Sequence, residues 1–153
     1  MHATVAPRSS LAQIRGMFAL LRPRQWVKNV FVFAPLIFAG EFLKLQSIEK
    51  VALAALIFCV ASSATDILND LTDIERDRRH PKKSKSRPLA SGLVSVTQAI
   101  TLLLILYVTL LAAWFVMSAV LYVVLGYLLL NLAYTFVLKH QPVIDIFTIA
   151  IGF

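Results

Sequence analysis

Two apolar runs, Val96 to Phe115 and Ala119 to Leu138, follow one another with only a few residues near Met117 between them. Each is about 20 residues long, the length an α-helix needs to cross a hydrocarbon core of roughly 30 Å. In that medium every backbone N–H and C=O must be satisfied within the segment, so such runs fold as helices. Their short connection makes them an antiparallel hairpin. This pair restricts the chain to a membrane helix bundle before any polar residue is read.

Composition agrees. The 153 residues are 59% hydrophobic and 15% charged, against about 45–50% and about 25% in soluble domains. The net charge is +7, from 15 Lys and Arg against 8 Asp and Glu. In a soluble chain that excess would suggest nucleic acid. Here the bases flank apolar runs, where anionic headgroups and topology explain them, and no nucleic-acid partner is expected. The single cysteine, Cys59, lies in an apolar run and has no companion for a disulfide or a thiolate metal site. It reads as a packed helix residue.

Three further runs complete the pattern. One covers about 26–42, is short, and carries Pro35 in its middle, which predicts a kink. Another covers about 51–69, and its second half, Ala61 to Thr65, is small and polar, which allows close helix approach. The last, 143–153, is about half a span and stops at Phe153. Residues 1–21 read as a leader with an interfacial helix near Ser10 to Leu21, since no apolar core with a small-residue cleavage site is present. Residues 22–153 then form the membrane part. With the N-terminus inside, thirteen bases fall inside and only Lys44 and Lys50 outside. The positive-inside rule therefore predicts a multi-pass protein of the plasma (inner) membrane with a cytoplasmic N-terminus and acidic loop. A half-span at the end predicts an N-terminal fragment of a longer polytopic protein.

The hydrophilic loop Asp70 to Ser91 holds the chemistry. Its start reads NDLTDIERD. On a continuous helix Asp70, Asp73 and Asp77 fall at i, i+3 and i+7, which puts three carboxylates on one face. Asn69 adjoins that face, and Asp66 is one turn before Asp70. Acids so placed repel one another unless a cation lies between them, and carboxylate oxygens suit Mg²⁺. A diphosphate held by the ion becomes a better leaving group. The plain alternative is a solvated loop whose acids offset nearby bases. Glu75 points elsewhere and reads as a surface ion-pair residue. His80, before Pro81, reads as a loop residue, and Arg87 in RPLASG as a phosphate contact. The patch LRPRQWVKN, with Arg22, Arg24, Trp26 and Lys28, fits interfacial anchoring as well as it fits phosphate binding. Asn131, Tyr134 and His140 border the same end of the bundle, where structural roles are the simpler reading.

NDLTDIERD resembles the first aspartate-rich motif of the UbiA superfamily of intramembrane prenyltransferases, with Asn69, Asp70, Asp73 and Asp77 at its four defining positions. Together with LRPRQWVKNVFVFAPLIFAG, the HP that follows the motif, and RPLASG, the chain is similar to the phosphoribosyltransferase branch acting on decaprenyl phosphate. That resemblance implies an all-α polytopic bundle of nine helices, about four and a half of them present here. It implies Mg²⁺-dependent transfer of 5-phosphoribose from phosphoribosyl diphosphate to a polyprenyl phosphate, feeding cell-wall arabinan precursors. By the resemblance, Asp70, Asp73 and Asp77 hold Mg²⁺ and the donor diphosphate, with Asn69 assisting. Arg22, Lys28, Lys83 and Arg87 contact substrate phosphates, and a homo-oligomer is one form the assembly takes.

Two departures stand out. Asp66 occupies a position where relatives usually have tyrosine. HPKKSKSRP is one residue longer than the usual spacing, which leaves Lys82, Lys83 and Lys85 as alternatives for one phosphate contact. The family's second acidic motif is not in this chain, so the chain alone is expected to be inactive. Prenyl transfer from a prenyl diphosphate to an aromatic acceptor is the alternative reaction, and an inactive remnant the non-enzymatic one.

Overall fold

The computed structural model describes residues 9–137 and residue 151. The expected fifth run, 143–153, lies outside them apart from Ile151, as do Lys139, His140 and the first eight residues of the expected leader. Among the described residues the secondary structure is all helical: α1 (Ser10–Leu20), a 3-10 helix (Pro23–Phe33), α2 (Ala34–Phe38), α3 (Leu45–Thr72), α4 (Ile74–Arg79), α5 (Lys83–Ser86), α6 (Val96–Trp114) and α7 (Ser118–Phe136). Three of these, α3, α6 and α7, are long and apolar enough to cross a membrane. The fold is therefore an all-α, multi-pass membrane bundle.

Local sequence explains most boundaries. Ser95 caps α6 through a reciprocal pair, its hydroxyl accepting from the Gln98 N–H and the Gln98 side chain accepting from the Ser95 N–H. Gly92, at φ +69, takes the left-handed turn that leads into it. α3 has 28 residues, or about 42 Å at the α-helical rise. That exceeds the apolar thickness it must cross, so its last turns carry Asp66, Asn69 and Asp70 toward the polar end.

The segment expected as a first span, about 26–42, is built differently from a continuous kinked α-helix. It is the 3-10 helix followed at Ala34 by the five-residue α2, with Pro35 in the first turn of α2. Pro35 lacks the N–H that an uninterrupted helix would need there, and as an early residue of a new helix it sacrifices nothing. The 3-10 geometry also matches its neighbour. Trp26 Nε1 donates to Ser63 Oγ at 2.9 Å, and Asn29 Nδ2 to Cys59 Sγ at 3.4 Å. Three 3-10 residues rise about 6 Å, and so do four α-helical residues, so antiparallel rows at these two spacings stay in register.

α3 is the centre of the packing. On one side Ala64 and Ile67 join Leu20, Leu89, Val94, Ala99 and Leu103. Nearer its start Ile57 and Ala61 join Leu110, Leu121 and Val124. Ala61 and Ala64 are fully buried, the small side chains allowing close backbone approach. Gly16 serves the same purpose for α1, since a Cβ there would lie 2.9 Å from Leu93 and Val94 side-chain atoms. The outward faces of α6 and α7 expose Leu104, Ile105, Val108, Leu111 and Val123, as a lipid-facing surface does.

Candidate active site

α3 ends at Thr72, and Asp73 caps it at φ −100°, ψ 8° before α4 begins. The helix is thus broken where the spacing argument needs it continuous. The Asp77 N–H still bonds Asp73 O at 2.8 Å, which keeps Asp77 near the end of α3. Asp70 and Asp77 are each only 2% exposed. A buried carboxylate carries a penalty of several kcal/mol unless it is paired, and both are paired by one side chain. Arg87 Nη1 donates to Asp70 Oδ1 at 2.7 Å and to Asp77 Oδ2 at 2.5 Å.

The loop builds that bridge. The short helix α5 ends with the Arg87 N–H bonded to Lys83 O at 3.0 Å, and Pro88 then prevents continuation. Lys83 Nζ itself lies 3.5 Å from Asp77 Oδ1. Of the three lysines left open by the loop's length, Lys83 is the one with an ion pair to the acidic cluster among the described residues. His80 is a turn residue, its Nδ1 accepting from the N–H groups of Lys82 and Lys83 at 3.3 and 3.4 Å.

Arg22 closes the cluster from the other side. Its Nη2 donates to Asp70 Oδ1 at 2.5 Å and its Nη1 to Asp66 Oδ1 at 3.2 Å. One guanidinium fork spans two carboxylates a helical turn apart. Arg22 adopts a left-handed backbone, φ 49, which disfavours a non-glycine residue by roughly 1–2 kcal/mol. Its two charged bonds to Asp66 and Asp70 offset that cost. The junction is also tied to α3, because the Ser63 hydroxyl donates to Leu21 O at 2.7 Å. The resulting cluster sets Asp66, Asp70 and Asp77 against Arg22, Arg87 and Lys83.

The other expected site residues are placed nearby with different partners. Asn69 Oδ1 accepts from Thr135 Oγ1 at 2.5 Å, linking the last turns of α3 and α7. Thr135 is only 2% exposed and is the contact that reading the sequence missed. Its one signal was a polar residue beside Tyr134 where the apolar run of α7 gives out. Lys28 is exposed on the 3-10 helix, and its charge acts on Asp66. Asp73 is half-buried at the cap. Beside Asp70 opens a cavity of about 640 Å³, lined by Arg22, Arg24, Gln25, Asp70, Ser86 and Arg87 among others.

The end of α3 at Asp73 interrupts the continuous helical face on which the spacing argument relies. Among the described residues no three His, Cys, Asp or Glu side chains come together as a metal-holding group. The arrangement does not fit Mg²⁺ between Asp70 and Asp77, because the Arg87 guanidinium fills that position.

The family model described as the UbiA prenyltransferase family matches residues 29–153. The chain is 43% identical over 138 residues to decaprenyl-phosphate phosphoribosyltransferase of Mycobacterium tuberculosis strain H37Rv, covering 87% of this chain and 45% of that protein. It is 37% identical over 155 residues to the protein of the same description from Mycolicibacterium smegmatis, covering 98% and 48%. The corresponding protein of Corynebacterium glutamicum is 40% identical over 152 residues, with 96% and 45% covered. The chain thus spans about half the length of the curated relatives it matches. With a matching family model over most of its length and an all-helical membrane fold, this chain belongs to the UbiA prenyltransferase family and is close to its decaprenyl-phosphate phosphoribosyltransferases.

Proposed function

We propose that the whole protein transfers 5-phosphoribose from phosphoribosyl diphosphate to a polyprenyl phosphate, for cell-wall arabinan precursors. The acceptor phosphate oxygen forms a bond to the anomeric carbon as the bond from that carbon to the diphosphate oxygen breaks. Diphosphate leaves with the electron pair. A phosphomonoester is already an anionic nucleophile, so the step requires no general base. The observation that carries this reading is the arginine and lysine collar on Asp70 and Asp77, opening on a cavity of about 640 Å³. Cations held in place by buried carboxylates are preorganised for phosphate oxygens. The names of the relatives supply the donor and acceptor.

In this reading Arg22, Lys28, Lys83 and Arg87 contact phosphates, and Asn69, Asp70, Asp73 and Asp77 form the polar floor. The family is generally Mg²⁺-dependent, and we extend that dependence to this protein without assigning the ion a step. Residues 1–21 form a leader with an interfacial helix and 22–153 the start of the transferase domain. The acidic end faces the cytoplasm at the plasma membrane, as the charge bias supports.

The test is an assay of the whole protein in membranes with radiolabelled phosphoribosyl diphosphate and polyprenyl phosphate. Label appearing in the lipid fraction is the expected result. A prenylated aromatic product from prenyl diphosphate, with no labelled lipid, would replace this reading with the alternative one.

A further inference from the structure

The cavity beside Asp70 has three arginines, and two of them are already engaged. Arg22 and Arg87 bond Asp70. Arg24, on the rim, is exposed and has no hydrogen-bond or ion-pair partner among the described residues. The Gln25 amide and the Ser86 hydroxyl line the same cavity and are likewise without side-chain bonds there. The rim therefore offers a cation and two neutral polar groups in a lining that carries more positive than negative charge.

The 3-10 helix gives this rim a direction. Residues three apart eclipse one another in that geometry. The row Trp26–Asn29 faces α3 through the two side-chain bonds already described. The row Arg24–Val27–Val30 faces away from it, with Val27 and Val30 exposed by 68% and 60%. One face thus reads as a cation followed by two apolar residues, about 12 Å from Arg24 to Val30. On the other side of the cavity α1 ends at Ala19 and Leu20, and it exposes Leu11, Ile14 and Phe18 at i, i+3 and i+7. Apolar surface flanks the rim on both sides, as an amphiphile with an anionic head requires and a sugar phosphate does not.

We propose that Arg24, with Gln25 and Ser86, holds the phosphomonoester of the acceptor lipid at the rim of this cavity, with its isoprenoid chain running along Val27 and Val30. This rests on the phosphoribosyl-transfer reading and deepens it. It assigns the acceptor to the rim and leaves the arginine–carboxylate floor for the donor.

The experiment uses the whole protein in nanodiscs and measures equilibrium binding of farnesyl phosphate, ribose 5-phosphate and farnesol separately. Arg24→Gln is expected to weaken farnesyl phosphate about tenfold or more, the loss of a charge-assisted contact. Ribose 5-phosphate and farnesol should bind as to the unaltered protein. The KM for the polyprenyl phosphate rises while that for phosphoribosyl diphosphate holds, and Arg24→Lys recovers part of the loss. Val27→Gln with Val30→Gln weakens farnesyl phosphate but not inorganic phosphate. Loss of ribose 5-phosphate rather than farnesyl phosphate in Arg24→Gln would make the rim a donor subsite and overturn the proposal. So would unchanged binding of both. If the unaltered protein transfers phosphoribose and Arg24→Gln behaves like it, this inference alone fails. If the unaltered protein makes only a prenylated aromatic product, the functional reading beneath it fails.

Discussion

Arg87 Nη1 donates to Asp77 Oδ2 at 2.5 Å across a separation of ten residues that contains Pro81 and the single helical turn α5. The same nitrogen reaches Asp70 on α3. One side chain therefore ties the end of a membrane-spanning helix to the loop that follows it, and it pairs both buried carboxylates.

Removing that tie leaves Asp70 with Arg22 alone and Asp77 with Lys83 alone. Arg87→Gln is expected to destabilise the whole protein by about 3–5 kcal/mol, read as a fall in Tm in detergent. Adding Asp77→Asn should return part of the loss, because it removes a buried charge whose shorter ion pair has gone. A double variant that loses the sum of both single effects would show that the two residues act independently.

The same substitution frees the position between Asp70 and Asp77. Mn²⁺ titrated into the folded Arg87→Gln protein, followed by electron paramagnetic resonance, should bind more tightly than to the unaltered protein without substrate. Asp70→Asn in the Arg87→Gln background should abolish the gain. Equal binding with and without Arg87 would mean that the guanidinium and the ion do not compete.

α1 touches the turn before α6 through Gly16, where added atoms meet Leu93 and Val94 at 2.9 Å. Val94 is buried and cannot retreat freely. Gly16→Val is expected to lift α1 away and raise proteolysis between α1 and the 3-10 helix, whereas Gly126→Ala, which meets nothing within 4 Å, should not. Identical cleavage rates would show that α1 is held by other contacts.

Ser63 receives Trp26 Nε1 and donates to Leu21 O. Ser63→Ala breaks both bonds and should cost about 1–3 kcal/mol, while Trp26→Phe breaks one and should cost less. The ordering of the two unfolding midpoints checks this.

Thr135→Val removes the donor to Asn69 and keeps the shape. Faster amide exchange at 69–73 is the expected outcome, with α6 unaffected. Protection unchanged at those residues would show that α7 is held at this end by packing alone.

Much of this was legible in the residues. The runs 51–69, 96–115 and 119–138 lie on α3, α6 and α7, with α3 starting six residues earlier, at Leu45, because length and hydropathy act on one segment at a time. Asp70, Asp77, Arg22, Lys83 and Arg87 were singled out from spacing and motif, and the structure brings them together. The site was legible as a list of groups but not as an arrangement. A continuous face of three acids fails at Asp73, where the helix ends.

The sequence by itself determined that this chain is a multi-pass helical membrane protein with an acidic cluster at the end of α3, since burial of apolar runs and their intrasegment hydrogen bonding require no distant partner. It also determined the family, through motifs that are local strings. Only the tertiary structure decided what neutralises the acids. Arg22 and Arg87 lie 48 and 17 residues from Asp70, and nothing in a local pattern says that their guanidinium groups reach the buried carboxylates. The helical form of residues 23–38 was settled in the same way. Pro35 prevents one continuous helix, and matching the rise of α3 through Trp26 and Asn29 selects the 3-10 form beside it.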